Sequence, residues 1–480
     1  MKSSYDRRQF LKQSALTLGL LPLALQKSAP GQSSDRPNFL FLFADDYRAE
    51  AIHALGCEAV YTPNIDRLVR QGTTFTNCYN QGGWHGAICM ASRAMLITAR
   101  HLWNAHLLDD RVPELAEAQQ LWPQEMQAAG YSTFMSGKWH VNCNPAKVFQ
   151  HVRHVRPGMP PDIESQYLRP EENTPDPFDP ADTTQGGYYT GGKHWSEVVA
   201  DDGVEFLRKR TKNEDPFFMY LSFNAPHDPR QSSRYWLDRY DAETIPLPDN
   251  FMTAYPWQKE IGCSPDMRDE RLAPFPRTAR AIRTHLREYY AIISHLDAQI
   301  GRILDALQRS GRAENTYIIF SGDNGLSLGS HGFMGKQNLY EHSMKVPLLF
   351  TGPGIPSDQR QEGLVYMQDL VPTVLELAGV TPQSPTDYQS LVPLLRGDSA
   401  AVRSQIYGAY MMLQRMVRNE RYKLIHYPTI QRHRLYDLQQ DPQELKDLSD
   451  DPRHASLLKE MQQELRRLQE EMRDPVLDSA

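Results

Sequence analysis

The sequence predicts an α/β fold: a large mixed central sheet between layers of helices, plus a small C-terminal antiparallel sheet with a helix. Three observations carry this. The runs Phe39–Phe43, Phe217–Phe223 and Thr316–Phe320 are apolar without alternation, the mark of strands buried on both faces. Segments of helical periodicity separate them, above all 285–309 with Ile292, Ile293, Leu296, Ile300, Ile303, Leu304 and Leu307. Beyond Gly379 the alternation of helix and strand weakens. At 480 residues the chain suits one large domain and a smaller one, with boundaries expected at 36–395 and 396–480.

In chain order, the first buried strand ends at Ala44-Asp45-Asp46, two acids where α/β folds place ligands. Thr62-Pro63 opens a helix and Gly72 closes it, with Ile65, Leu68 and Val69 facing inward. Trp84 and His85 lead into Cys89–Arg100, where an apolar helix starts. A cysteine in the first turn meets unpaired peptide N–H groups and the positive end of the helix dipole. Arg93, one turn on, can bring its fork of donors back over the Cys89 side chain. A helix over 123–130 and a strand over 131–135 deliver Gly137-Lys138-Trp139-His140. The tract Gln150–Gln185 is dense in proline, which predicts a surface excursion without regular structure. Its basic segment His151–Arg156 reads as a solvated loop or as a contact for an anionic sugar chain. A helix over 195–209 precedes the strand 217–223, which delivers Asn224-Ala225-Pro226-His227-Asp228. Gln231–Thr278 is mostly loop, with Trp236 and Trp257 as sugar platforms or ordinary packing. The strand 316–320 delivers Ser321-Gly322-Asp323-Asn324-Gly325, then Lys336, then a strand over 346–350. Segments 405–417 and 422–426 read as antiparallel strands. The closing helix sets Leu457, Met461, Leu465, Leu468 and Met472 on one stripe that packs on the small sheet.

A formal charge of −7 gives no general attraction to nucleic acid or anionic membrane. Residues 1–34 have the regions of an export signal: the twin arginine Arg7-Arg8 before Phe10-Leu11-Lys12, then the apolar run Ala15–Leu25. That run is shorter than the ~18–20 residues a membrane span needs, so the expected mature protein is periplasmic or secreted, from a bacterium, without a membrane span. The twin-arginine translocase is its expected partner in export. Five cysteines allow two disulfides with one thiol over, and their spacing identifies no pair.

Asp45, Asp46, Asp323 and Asn324 offer only oxygen ligands, all at predicted strand ends. Such a set suits a hard divalent cation, calcium first and magnesium second, whereas zinc asks for histidine or cysteine. Cys89-x-Ala91-Ser92-Arg93, then Leu96 and Thr98, resembles the signature of the formylglycine-dependent (type I) sulfatases. That signature usually has proline where Ala91 stands and glycine where Ala99 stands. Further stretches resemble the family in order: Thr62–Leu68, Gly137–His140, Ala225–His227, Ser390–Gly397 and Leu435–Pro442.

The resemblance implies an alkaline-phosphatase-like sandwich and hydrolysis of sulfate esters. It implies that a formylglycine-generating or sulfatase-maturing enzyme converts Cys89 to formylglycine, whose hydrate attacks sulfur and then expels sulfate. It implies Asp45, Asp46, Cys89, Asp323 and Asn324 around the cation, and Arg93, Lys138 and Lys336 on the sulfuryl oxygens. By position, His140 assists deprotonation of the second hydroxyl and His227, with Lys336, serves the leaving oxygen. The expected substrate is a sulfated carbohydrate, from a polysaccharide or glycosaminoglycan. Three readings stay open beside it: an aryl or alkyl sulfatase, a phosphodiesterase or phosphonate hydrolase of the same superfamily, and a non-catalytic sugar-binding homologue.

Overall fold

The computed structural model describes residues 36–210 and 214–479; the export signal expected at 1–34 lies outside the described residues. Fifteen strands are described: β1 Asn38–Ala44, β2 Thr73–Phe75, β3 Cys78–Tyr79, β4 Gly82–Gly83, β5 Ser132–Lys138, β6 His151–Arg156, β7 Phe217–Ser222, β8 Thr316–Gly322, β9 Leu348–Thr351, β10 Gln359–Gln361, β11 Val365–Tyr366, β12 Ile406–Tyr410, β13 Gln414–Arg418, β14 Tyr422–Tyr427 and β15 Arg432–Asp437. Eight of them form the central sheet in the order β10-β2-β9-β8-β1-β7-β5-β6. The run β8-β1-β7-β5-β6 is parallel and β9 is antiparallel to both its neighbours, so the sheet is mixed, as expected.

The pattern of β1 shows why it is central. Successive side chains leave opposite faces, and both faces are apolar. Leu40 and Leu42 enter one core with the long helix Ala279–Arg309, the helix Trp195–Arg208 and the helix Pro63–Gln71. Phe39, Phe41 and Phe43 enter the other, with Trp122, Met126 and the helix Leu370–Leu377. Phe41 meets Phe43 and Tyr220 at 4.8 and 5.3 Å between ring centres, an arrangement of aromatic rings that adds to plain burial.

The second sheet runs β15-β14-β13-β12-β4. Its four C-terminal strands are antiparallel, and the sequence far upstream supplies a fifth, β4, parallel to β12. The closing helix Ala455–Met472 buries Met461, Leu465 and Leu468 against Val417, Leu424 and Leu435 of that sheet. A buried pair, Arg415 with Asp474 (2.5 and 2.7 Å), ties the end of the chain to β13.

Several boundaries differ from the sequence reading. His151–Arg156 is not loop but the edge strand β6, paired in parallel with β5. The prolines that argued against structure begin only at Pro157, and an edge strand needs bonding on one side alone. Strand β5 runs on through Gly137-Lys138; a side chain at Gly137 would come 1.8 Å from the Ser222 carbonyl oxygen, and φ there is +98°, so only glycine fits. Segment 405–417 is two strands with a tight turn at Met411–Leu413, not one. All five cysteines are free thiols, so the two disulfides that the count allowed are not formed.

Candidate active site

Parallel pairing aligns the C-terminal ends of β1, β8, β7 and β5: Ala44 sits beside Gly322, Phe43 beside Ser222, and Gly137 beside Ser222. The polar residues that follow these strands therefore emerge together. The helix Ile88–Thr98 points its first turn at the same spot. Its C-terminal residue Ala99 takes the left-handed conformation, φ +53°, that usually falls to glycine. At Ala91, the backbone N–H makes only a long 3.5 Å bond to Ala87.

Cys89 Sγ lies 3.1 Å from Asp45 Oδ1, 3.6 Å from Asp46 Oδ1 and 3.1 Å from Lys336 Nζ. Lys336 also donates to both oxygens of Asp46, at 2.6 and 2.9 Å. Lys138 Nζ donates to Asp45 Oδ2 at 2.5 Å. Ligand atoms of Asp45, Asp46, Cys89 and Asp323 all fall within 4.8 Å of one another. Asn324 joins them, its Nδ2 donating to Asp46 Oδ1 at 2.7 Å.

Arg93 makes no hydrogen bond to the Cys89 sulfur: Nε donates to Asp323 Oδ2 at 2.9 Å, and Nη1 donates to Ser222 Oγ at 2.7 Å and to the Lys138 carbonyl at 3.2 Å. Its Nη2 is buried without a partner among the described residues, and Cys89 is among the groups whose charge it feels. Asp323 takes the Nε bond, because two opposite charges this deep cannot be left apart.

The electrostatics follow from burial and crowding. Burial, then the carboxylates of Asp323 and Asp46 against the pull of Lys138, raises Asp45 to about 6. Asp323 is just as buried, which works against ionisation, yet Arg93, Lys138 and Lys336 hold it down at about 2. Burial, reinforced by Asp323 and Asp45, pushes the Cys89 thiol well above its usual range. Burial, with Lys138 and Arg93 adding to it, lowers His140 to about 2 and keeps it neutral. His227 Nδ1 donates to the Asp228 carbonyl at 2.8 Å, which leaves Nε2 facing Asp46, 3.8 Å away.

These residues fit a hard cation. The donor set is oxygen-rich, and Asn324 Oδ1 is buried without a partner among the described residues. Peptide N–H groups at the helix start favour an anion at residue 89.

A cavity of about 490 Å³ opens onto this cluster. Cys89, His140, His227 and Lys336 form its floor, and its walls come from Gly86–Ala87, Pro157–Met159, Met267–Asp269 and Gln337. The sequence reading missed those walls. Only the turn signal Pro157-Gly158 pointed anywhere near; nothing marks Arg268, Asp269 or Gln337. Ser222 was also missed, although it is the polar residue that ends an apolar strand. Trp84 stacks on His106 and Trp236 on His295, while Trp257 lies under the Arg434 guanidinium. None of these tryptophans, nor His85, lines the cavity.

An α/β sandwich with a large mixed sheet, and with acids able to hold a metal ion grouped beside Cys89 at its strand ends, is alkaline-phosphatase-like in fold. Within that class the chain belongs to the sulfatase family, whose model matches residues 37–380, and it hydrolyses sulfate esters. The model for the C-terminal part of N-sulphoglucosamine sulphohydrolase matches residues 329–471. The chain is 26% identical to an N-acetylglucosamine-6-O-sulfatase of Bacteroides thetaiotaomicron, over 96% of this chain and 91% of that one. It is 28% identical to a choline-sulfatase of Rhizobium meliloti, over 88% and 84%. In fold it is similar to BT4656 in complex with its substrate D-glucosamine-2-N,6-O-disulfate (TM-score 0.72, 24% identity, 92% and 98% covered).

Proposed function

We propose that this enzyme is an exported carbohydrate sulfatase that works with a formylglycine made from Cys89 and a divalent cation, calcium before magnesium. The observation that carries the reading is the convergence of Cys89, Asp45, Asp46 and Lys336 within hydrogen-bonding reach. The carbohydrate substrate is supported by the sugar-sulfatase relative that spans nearly the whole chain. Asp45, Asp46, Asp323 and Asn324 would hold the cation, with residue 89 beside them. When bound, the cation supplies positive charge at the nucleophile and at the sulfuryl group. Conversion of Cys89 supplies an aldehyde whose hydrate is the nucleophile.

The remaining work falls to the chain's own side chains. Lys138 and Lys336 bind sulfuryl oxygens and match the negative charge that grows there in the transition state. Arg93 keeps Asp323 ionised and in place. His140, held neutral, accepts a proton at the floor of the cavity. His227, its Nδ1–H held by the Asp228 carbonyl, gives the leaving oxygen a proton from Nε2 when the ring is protonated on both nitrogens. Residues 36–395 act as the catalytic domain and 396–480 as a C-terminal subdomain that closes one side of it. No helix among the described residues is long and apolar enough to cross a membrane. Export by the twin-arginine route is tested by Arg7→Lys with Arg8→Lys, which is expected to leave the precursor in the cytoplasm.

The test of the whole reading is the mass of the peptide that contains residue 89, from protein made with a sulfatase-maturing enzyme. An aldehyde at residue 89, together with turnover of sulfate esters faster than of the matching phosphate and phosphonate esters, is expected. An intact thiol in protein with full activity overturns it, and so does turnover that survives Cys89→Ala.

A further inference from the structure

The cavity has two ends of different character. At its floor stands the ammonium of Lys336, beside Cys89. At its walls, where the rest of the substrate must lie, one cation faces the opening: Arg268. Its two Nη groups are already taken, and its Nε is buried out of reach of the opening. The guanidinium donates to Asp228, to Asp269 at 2.9 Å and to Asp162 at 3.2 Å. Behind Asp228 lies one more cation, the buried Arg230. Arg268 is thus held by three carboxylates at once, of which Asp228 also faces Arg230 and His227, and Asp269 also faces Lys336. Among the described residues lining the walls, no cation is left to receive a second anion.

Asp269 is built into this wall as an acceptor. One of its oxygens takes the Arg268 bond, and the other takes Gln337 Nε2 at 2.8 Å. Gln337 is in turn fixed by the Gly86 carbonyl (3.0 Å) and by the Lys336 N–H (2.9 Å). Each carboxylate oxygen keeps a further lone pair, so a rigid pair of acceptors is offered to hydroxyl donors. The neighbouring surface is apolar: Pro157, Met159 and Met267 line the same cavity, and thioethers adapt to the C–H face of a ring.

We infer that the leaving group is a sugar unit with no second charge beside the scissile ester, its hydroxyls read by Asp269 and its apolar face set on Met159 and Met267. This rests on the carbohydrate-sulfatase reading. Discrimination is by the lack of a free cation as much as by attraction. At low ionic strength, one unpaired charge close to a carboxylate costs about tenfold in kcat/KM.

The experiment compares matched substrates on the matured enzyme: the 3-, 4- and 6-monosulfates of galactose and N-acetylglucosamine against counterparts with a second sulfate, such as glucosamine 2-N,6-O-disulfate. The wild type is expected to prefer the monosulfate by about tenfold or more. Asp269→Asn is expected to lower kcat/KM on the monosulfate and to cut the preference about tenfold. Asp162→Asn, at the exposed outer side, frees part of Arg268 and is expected to raise activity on the disulfate. Equal or better turnover of the disulfates by the wild type, or a preference that neither variant moves, overturns the inference. A second pair, 4-carboxyphenyl sulfate against its carboxamide, keeps the two readings apart. Turnover of that pair without any sugar sulfate overturns the carbohydrate reading and the hydroxyl role of Asp269, and the ratio within the pair still decides the charge discrimination. Matured protein that turns over neither set overturns both.

Discussion

Gly158→Ala is the sharpest probe of how the cavity is built. A methyl group on Gly158 would fall 2.5 Å from His140 Cε1, 2.6 Å from Nε2 and 2.8 Å from Nδ1. Carbon atoms in contact sit about 3.5 Å apart, so the ring must retreat by roughly 1 Å. A displacement of that size at a reacting group costs about 10²-fold, or ~2.7 kcal/mol of barrier. The backbone is not the obstacle, since φ at Gly158 is not positive and alanine is allowed there. The effect should therefore fall on kcat, with the melting temperature close to that of the wild type and KM little changed. Steady-state kinetics on 4-nitrophenyl sulfate, with a thermal melt as control, reads both. The double variant with His140→Ala should be no slower than His140→Ala alone, because the glycine acts only through that ring. Wild-type kcat in Gly158→Ala would refute the placement of His140 as a working group.

Other perturbations test separate parts of the structure. Ala99→Gly relieves a left-handed alanine at the end of the nucleophile helix and should stabilise the protein by about 1 kcal/mol, read as a rise in denaturant midpoint at unchanged slope. Arg415→Ala strips the partner from the buried Asp474 carboxylate and should cost about 3–5 kcal/mol; adding Asp474→Ala should cost little more. His331, buried and stacked on Tyr340 at 3.8 Å, is lowered to about 4 by its burial. Between pH ~6.5 and ~4 the unfolded chain binds a proton there and the native chain does not. Its contribution is thus present above pH ~6.5 and lost on acidification, by up to about 3 kcal/mol, and His331→Gln should flatten the fall in stability measured over that window. Dialysis against a chelator should lower the melting temperature of the matured enzyme, and calcium should restore it in the wild type but not in Asp46→Asn.

Much of this molecule was legible because its chemistry sits at the ends of strands. Phe39–Phe43 announces a two-faced buried strand, and Asp45-Asp46 directly after it can only emerge at its C-terminal end. The same logic placed Asp323-Asn324 and Lys138. Helical spacing put Arg93 one turn from Cys89 but could not say that Asp323, 230 positions away, takes its Nε bond. The cavity walls were opaque for a different reason. Pro157–Met159 and Met267–Asp269 belong to long irregular segments whose path depends on packing rather than on period. His151–Arg156 was read with the prolines behind it instead of with the strand beside it. The polar residues grouped around Cys89 at the strand ends could be read from sequence, and those that form the cavity walls could not.

The most direct test of the account is element-specific X-ray scattering from crystals of the matured protein grown with calcium and sulfate. One calcium ion is expected, bound by Asp45, Asp46, Asp323 and Asn324 and touching an oxygen at residue 89, with the sulfate between Lys138 and Lys336. Calcium bound elsewhere, or an intact sulfur at residue 89 in active crystals, would contradict it.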